Sequence, residues 1–295
     1  MSAHTLWTGF PENGIIQVSP KERKGERNMG YNIRNFINQN DDIHALEQKG
    51  AMTSFYYDRD LSVMPHTAAM AYFSAKMGIH KRQLLCQVSP QCGITCQAGA
   101  MQWTIGNVEA TTGVKGVGDF VGKMFKGAAT GESAIKPEYR GQGLLVLEPT
   151  YKYIILTDVA EWGGAVTLDD GLFLACESSV QLKVQARSSF SSAVAGGEGL
   201  FNTMATGSGV LALECDCPKE ELIEIELQND MVKIDGNMAI AWSSGLQFTT
   251  ERSGKTLIGS AASGEGLVNV YRGTGKIWMM PVAGPGPSLA SVIDS

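Results

Sequence analysis

Six cysteines in 295 residues are too few for a scaffold built on disulfides. Charged residues reach only 18%, against roughly 25% in globular chains, which excludes a disordered or coiled-coil chain. No apolar run approaches the ~18 residues that cross a bilayer. The longest, such as Gly143–Leu147 and Gly171–Cys176, are of strand length. The N-terminus has neither the apolar core of a signal peptide nor the Arg-rich, acid-free character of a mitochondrial presequence. The expected compartment is the cytoplasm. Cations are outnumbered, 24 Lys+Arg against 30 Asp+Glu, for a net charge of −6. That balance counts against a dedicated phosphate-backbone binder. Histidine is scarce, with four residues, none of them after His80. Acid–base chemistry would therefore rest on carboxylates, Lys or Tyr, or on a His from the N-terminal region.

The cysteine pairs Cys92-x3-Cys96 and Cys215-x-Cys217 lack Cys-x2-Cys spacing, and no histidine completes them. Free thiols packed as small apolar side chains are the expectation, with no metal and no cofactor. Gly254-Lys255-Thr256 ends a phosphate-loop pattern that needs glycine at 249, where this chain has threonine. Gly116-x-Gly118-x3-Gly122 is one residue off the dinucleotide fingerprint.

Glycine is abundant, at 35 residues with no triplet period. Its placement organises the chain. Gly-x-Gly pairs begin at 141, 207 and 273, stepping by 66 each time; Gly-Glu pairs place Glu132, Glu198 and Glu265 at steps of 66 and 67. Asp170-Gly171 and Asp235-Gly236 repeat at 65, and Ala98-Gly99 holds the corresponding place in the first copy. The first copy carries a small insertion, expected within Gly113 to Ala129. Inside each copy the pattern is β. Val180-Gln181-Leu182-Lys183-Val184-Gln185 and Leu222 to Leu227 alternate with period two. Asp-Gly between apolar runs marks a hairpin. One such ~65-residue unit has open edges and little core, so three must share one.

These residues predict an all-β fold of three similar units about a pseudo-threefold axis. The expected limits are an N-terminal extension over 1–71, partly mobile, then units over 72–150, 151–215 and 216–281, and a tail over 282–295. Within the extension, Asn35 to Gln48 reads as a short helix with Phe36, Ile37, Ile43 and Leu46 on its apolar side. Tyr56 to Val63 reads as a strand.

The units resemble the bacterial and mitochondrial family named for altered inheritance of mitochondria. The resemblance is carried by Ala98-Gly99-Ala100-Met101, Ala128 to Ser133, Gly197-Glu198-Gly199-Leu200-Phe201, and Gly264-Glu265-Gly266-Leu267-Val268 with Gly273 to Trp278. It implies three tandem copies of a fold similar to the tryptophan RNA-binding attenuation protein, a compact variant of the double-stranded β-helix. It supplies no catalytic residues. Mitochondrial members are linked to inner-membrane organisation.

Two candidate sites follow from the repeat. Glu132, Glu198 and Glu265 occupy equivalent places and would be related by the axis, either as a shared carboxylate site or as acceptors within their own turns. Apolar segments precede each Gly-Glu: Phe120, Val121, Met124 and Phe125, then Phe190 and Val194, then Leu257 and Ile258. They would form one face for another copy, another protein or a membrane surface. The expected function is a non-enzymatic oligomeric scaffold or partner-binding protein. A small-ligand or RNA binder by fold analogy, or an enzyme with a carboxylate site, are the alternatives.

Overall fold

The computed structural model describes residues 30–60, 62–111, 136–186, 201–236, 238–252 and 267–282. Among them are sixteen strands and one α-helix. A hairpin of β1 (Ile43–Lys49) and β2 (Met52–Tyr57) comes first, then α1 (Ala68–Lys76). The first unit holds β3 (Arg82–Val88), β4 (Ile94–Cys96), β5 (Met101–Thr111) and β6 (Glu138–Leu147). The second holds β7 (Tyr153–Asp158), β8 (Ala165–Leu168), β9 (Phe173–Glu177), β10 (Val180–Ala186), β11 (Phe201–Gly207) and β12 (Val210–Cys215). The third holds β13 (Ile223–Asp235), β14 (Ala239–Ser243), β15 (Gln247–Arg252) and β16 (Leu267–Met279). Two sheets result. Nine strands run β1-β2-β3-β6-β4-β9-β12-β7 with β5 beside β6, and seven run β10-β11-β8-β14-β16-β13 with β15 beside β16.

One pairing scheme recurs. The closing strand of each unit lies between its opening strand and its middle strands: β6 between β3 and β5, β12 between β7 and β9, β16 between β13 and β14–β15. Gly141 and Gly273 lie within the closing strands β6 and β16, and Gly207 ends β11 just before β12. Gly141, Gly207 and Gly273 have φ of 123°, 109° and 121°, a region closed to side chains. The 66-residue step therefore marks a backbone requirement.

Successive units join in one register. Ile94, Thr95 and Cys96 pair with Glu177, Cys176 and Ala175; Val166, Thr167 and Leu168 pair with Ser243, Trp242 and Ala241. The next bond also repeats, from Gln97 N to Leu174 O and from Asp169 N to Ile240 O, each 2.8 Å. Among the described residues no strand of the third unit pairs with the first.

The core follows the same logic. Each unit turns one face outward onto the interior of the unit before it. In the second unit that face is Leu156, Val210 and Ala212, packed with Leu84, Cys86 and Leu145 of the first. In the third it includes Trp278, packed with Trp162 and Val166 of the second. The first unit has no predecessor. Its equivalent residues, Leu85, Leu144 and Val146, are covered by Ile37, Ile43 and Phe55. The N-terminal segment takes the seat of a missing unit, as terminal caps do in repeat proteins.

The expected helix over 35–48 is not there; the helix near the N-terminus is α1. Asn35 and Asn38 have φ of 56° and 59°, which no helix accommodates. Asn40 Oδ1 accepts from Asp42 N at 2.8 Å, an Asx turn that launches β1. Phe36, Ile37 and Ile43 do face the core, but Leu46 is exposed. The strand expected from Tyr56 lies earlier, over Met52–Tyr57, because Met52 to Tyr56 pair with β3. The residues expected to hold the first unit's insertion lie outside the described ones.

Candidate interaction surface

The eight apolar residues and three glutamates singled out from the repeat all lie outside the described residues. The cysteines can be placed. Cys86, Cys96, Cys176, Cys215 and Cys217 are buried and Cys92 is half-buried; none is in a disulfide. Burial pushes the Cys96 and Cys176 thiols up to about 12 and Cys215 to about 11, so they are poor nucleophiles at neutral pH. Among the described residues no three His, Cys, Asp or Glu side chains gather as a metal site.

A polar and aromatic cluster lies where the second and third units meet. Trp162 and Trp278 pack edge to face with ring centroids 4.8 Å apart. Lys276 Nζ lies 4.5 Å from the Trp162 ring centre and 3.4 Å from Glu224 Oε2, and Trp278 Nε1 donates to the same oxygen at 2.6 Å. Trp162 Nε1 donates to Thr157 Oγ1 at 3.0 Å, and Thr157 donates to Glu161 at 3.1 Å. Glu161 also pairs with Lys49 at the tip of the N-terminal hairpin. Two lysines thus meet two carboxylates, and the cluster fastens three parts of the chain.

The bond from Trp278, with Lys276 beside it, holds the Glu224 carboxyl below its ordinary value of 4.5. A carboxyl held low supports the folded chain above its unfolded value and withdraws that support as pH falls through the folded one. The thermal midpoint of the wild type should fall more steeply below about pH 4.5 than that of Glu224→Gln, which starts lower at neutral pH. Parallel curves from pH 3 to 7 would refute the assignment.

Glu177 fastens the hairpin from the other side. Its Oε1 accepts from Ala51 N at 2.8 Å and its Oε2 from Val210 N at 3.0 Å. Gly50, at φ 54°, sits against it: a Cβ there would lie 2.3 Å from Glu177 Oε1 and 2.7 Å from Val210 Cγ2.

Between β2 and β3 the chain leaves the body and returns. The stem is closed by Tyr57 N to Lys81 O at 3.0 Å and by the Lys81–Asp60 ion pair. Arg82 is buried over the Tyr153 ring at 4.0 Å, donating to the carbonyls of His80 and Gly78. Beyond the stem stands α1, starting after Pro65 and Thr67 and stopping at Gly78, whose φ is 79°. None of its nine residues is buried. Its half-buried positions are the small ones, Ala71, Ser74 and Ala75. Met70 (68% exposed), Phe73 (66%) and Met77 (78%) follow at i, i+3 and i+7, with Tyr72 (58%) to one side. A surface helix ordinarily turns such a stripe inward. At about 200 Å² for each large side chain, these four with Met64 and Ile79 expose roughly 700 Å².

Sequence reasoning passed over this helix. Two signals mark it: a stretch from Ala68 to Met77 in which seven of ten residues are Ala, Met or Lys, set between Pro65 and Gly78, and no Asp or Glu from 61 through 108. No helix among the described residues is long and apolar enough to cross a membrane.

The fold is shared with similar chains. An uncharacterised protein of Streptococcus pyogenes serotype M6 is 30% identical over 193 residues, 62% of this chain and 74% of that one. A crystal structure of another Streptococcus pyogenes protein matches with a TM-score of 0.51 at 25% identity, covering 73% of this chain and 92% of that one. The family profile described as mitochondrial biogenesis AIM24 matches residues 76–282. The match takes in all three units and their seams, and the chain belongs to that family.

Proposed function

We propose that the protein is a non-enzymatic partner-binding scaffold of the cytoplasm, and that α1 is its contact surface. One observation carries this reading: a nine-residue helix with no buried residue that turns its large apolar side chains to solvent. Exposing Met70, Phe73 and Met77 forgoes about 1.5–3 kcal/mol of burial for each side chain. A partner recovers it. Methionine suits such a surface because its unbranched thioether adapts to irregular seats. The i, i+3, i+7 spacing is that of helices received in an apolar groove. The stem, with its Lys81–Asp60 pair and Arg82 donating to Gly78 O, ties the end of α1 to β3 before binding, which lowers the entropy lost on contact.

The reading is tested by native capture. Full chain and its Phe73→Ser/Met77→Ser variant are each tagged and recovered under native conditions, at equal loading. The exposed substitutions should shift the thermal midpoint by less than about 2 °C, so folding is not the variable. A companion, whether another protein or further copies of the chain, retained by the wild type and depleted at least about tenfold by the variant supports α1 as the contact surface. Equal retention overturns it.

A further inference from the structure

The third unit has the complementary deficiency. Each of the first two units receives the outward face of the next on its interior; among the described residues the third receives no such face. Its core gathers Ile234, Trp242, Leu246, Tyr271 and Ile277, all from the third unit among the described residues. Its opening strand, β13, pairs only with β16 among the described residues, leaving one edge bare along thirteen residues. A long bare edge is a template for another chain. Ile223 and Met231 stand on it 41% and 52% exposed. From Lys219 to Asp235 there are six carboxylates (Glu220, Glu221, Glu224, Glu226, Asp230, Asp235) against two lysines.

We propose that α1 of one copy docks on the β13 side of the third unit of a second copy, a head-to-tail contact. The inference rests on α1 being the contact surface and names its partner. Three observations favour a second copy. The charges are complementary: the segment bearing α1 has no carboxylate from 61 through 108 and carries Lys76 and two histidines, with Lys81 held by Asp60, whereas β13 and its approach are acidic. A symmetric α1-to-α1 contact would instead bring Lys76 toward its own copy. The large apolar side chains exposed between Met64 and Ile79 sum to roughly 700 Å², of the order of the ~800 Å² that each partner buries in a specific interface. Finally, neither surface has a partner among the described residues, and they lie at opposite ends of the unit order, so one contact covers both. The contact is heterologous, which leads to rings or open chains of copies rather than a closed pair.

The test is complementation by mixing full-length chains. Phe73→Asp disables α1 and leaves β13 intact; Glu226→Lys/Met231→Lys does the reverse, all at exposed positions. Wild type on the order of 100 μM should show a mass by light scattering that rises with concentration above the 31.6 kDa of one chain. Each variant alone should associate at least about tenfold more weakly. Mixed, the two variants should form a complex of two chains containing one of each, because one good α1 then meets one good β13. A monomeric wild type, unchanged association of the β13 variant, or a mixture that stays monomeric overturns the proposal. If the α1 variant still loses a companion in native capture, the contact surface stands and the second copy falls. If it loses nothing in either assay, both fall.

Discussion

Gly141→Ala is expected to lower stability by about 3 kcal/mol or more and the thermal midpoint by about 5–10 °C. The residue lies in the left-handed region at φ 123°, and a Cβ there would sit 1.9 Å from Asn107 O in the neighbouring strand. The β5–β6 ladder pairs Gly141 with Val108, and it would have to part. That opening reaches Leu145 and Leu147, which lie in the core shared with the second unit. Gly245→Ala is the control, having no atom within 4 Å of the added Cβ; its effect should stay within about 0.5 kcal/mol. Thermal melts of the two variants decide it. Equal midpoints would mean that the repeated glycine answers to something other than backbone geometry.

The second large effect falls on the N-terminal cover. Phe55 is fully buried, with Phe36 edge-on at 5.3 Å and Tyr57 at 6.0 Å, in the cluster that holds Leu85, Leu144 and Val146. Phe55→Ala should cost about 3–5 kcal/mol, the range for a large aromatic removed from a packed interior. The loss should be regional. Amide exchange should quicken in β2, β3 and β6 before it does in β14 and β16, since the seams downstream keep their contacts. A cost of about 1 kcal/mol or less would show that residues 31–57 merely rest on the first unit. Such a result would leave open how that unit buries its outward face.

Much of the architecture was legible before any coordinates. The φ of 109° to 123° at 207, 273 and 141 lies beyond the region that asparagine shares and suits glycine alone, so the requirement is written in residue identity. Its 66-residue step then exposes the repeat. Alternation over Val180 to Gln185 is local in the same way. The N-terminal region shows the opposite case. Phe36, Ile37 and Ile43 look helical in spacing, but their partners are Phe55, Leu85 and Val146, distant in sequence. Only strand pairing with β2 decides that Ile43 begins a strand. The rule that an apolar helical stripe is buried fails for α1, because burial depends on what stands opposite and the described residues place nothing there.

Residue order alone settled the class of fold and the places of its glycine turns, because each depends on backbone conformations that few side chains tolerate. The cover over the first unit, the fastening of Lys49 and Ala51 to the second, and the outward turn of Met70 and Phe73 were decided by tertiary packing. Those features depend on which surfaces meet, and such meetings join residues too far apart in the chain for any local pattern to record.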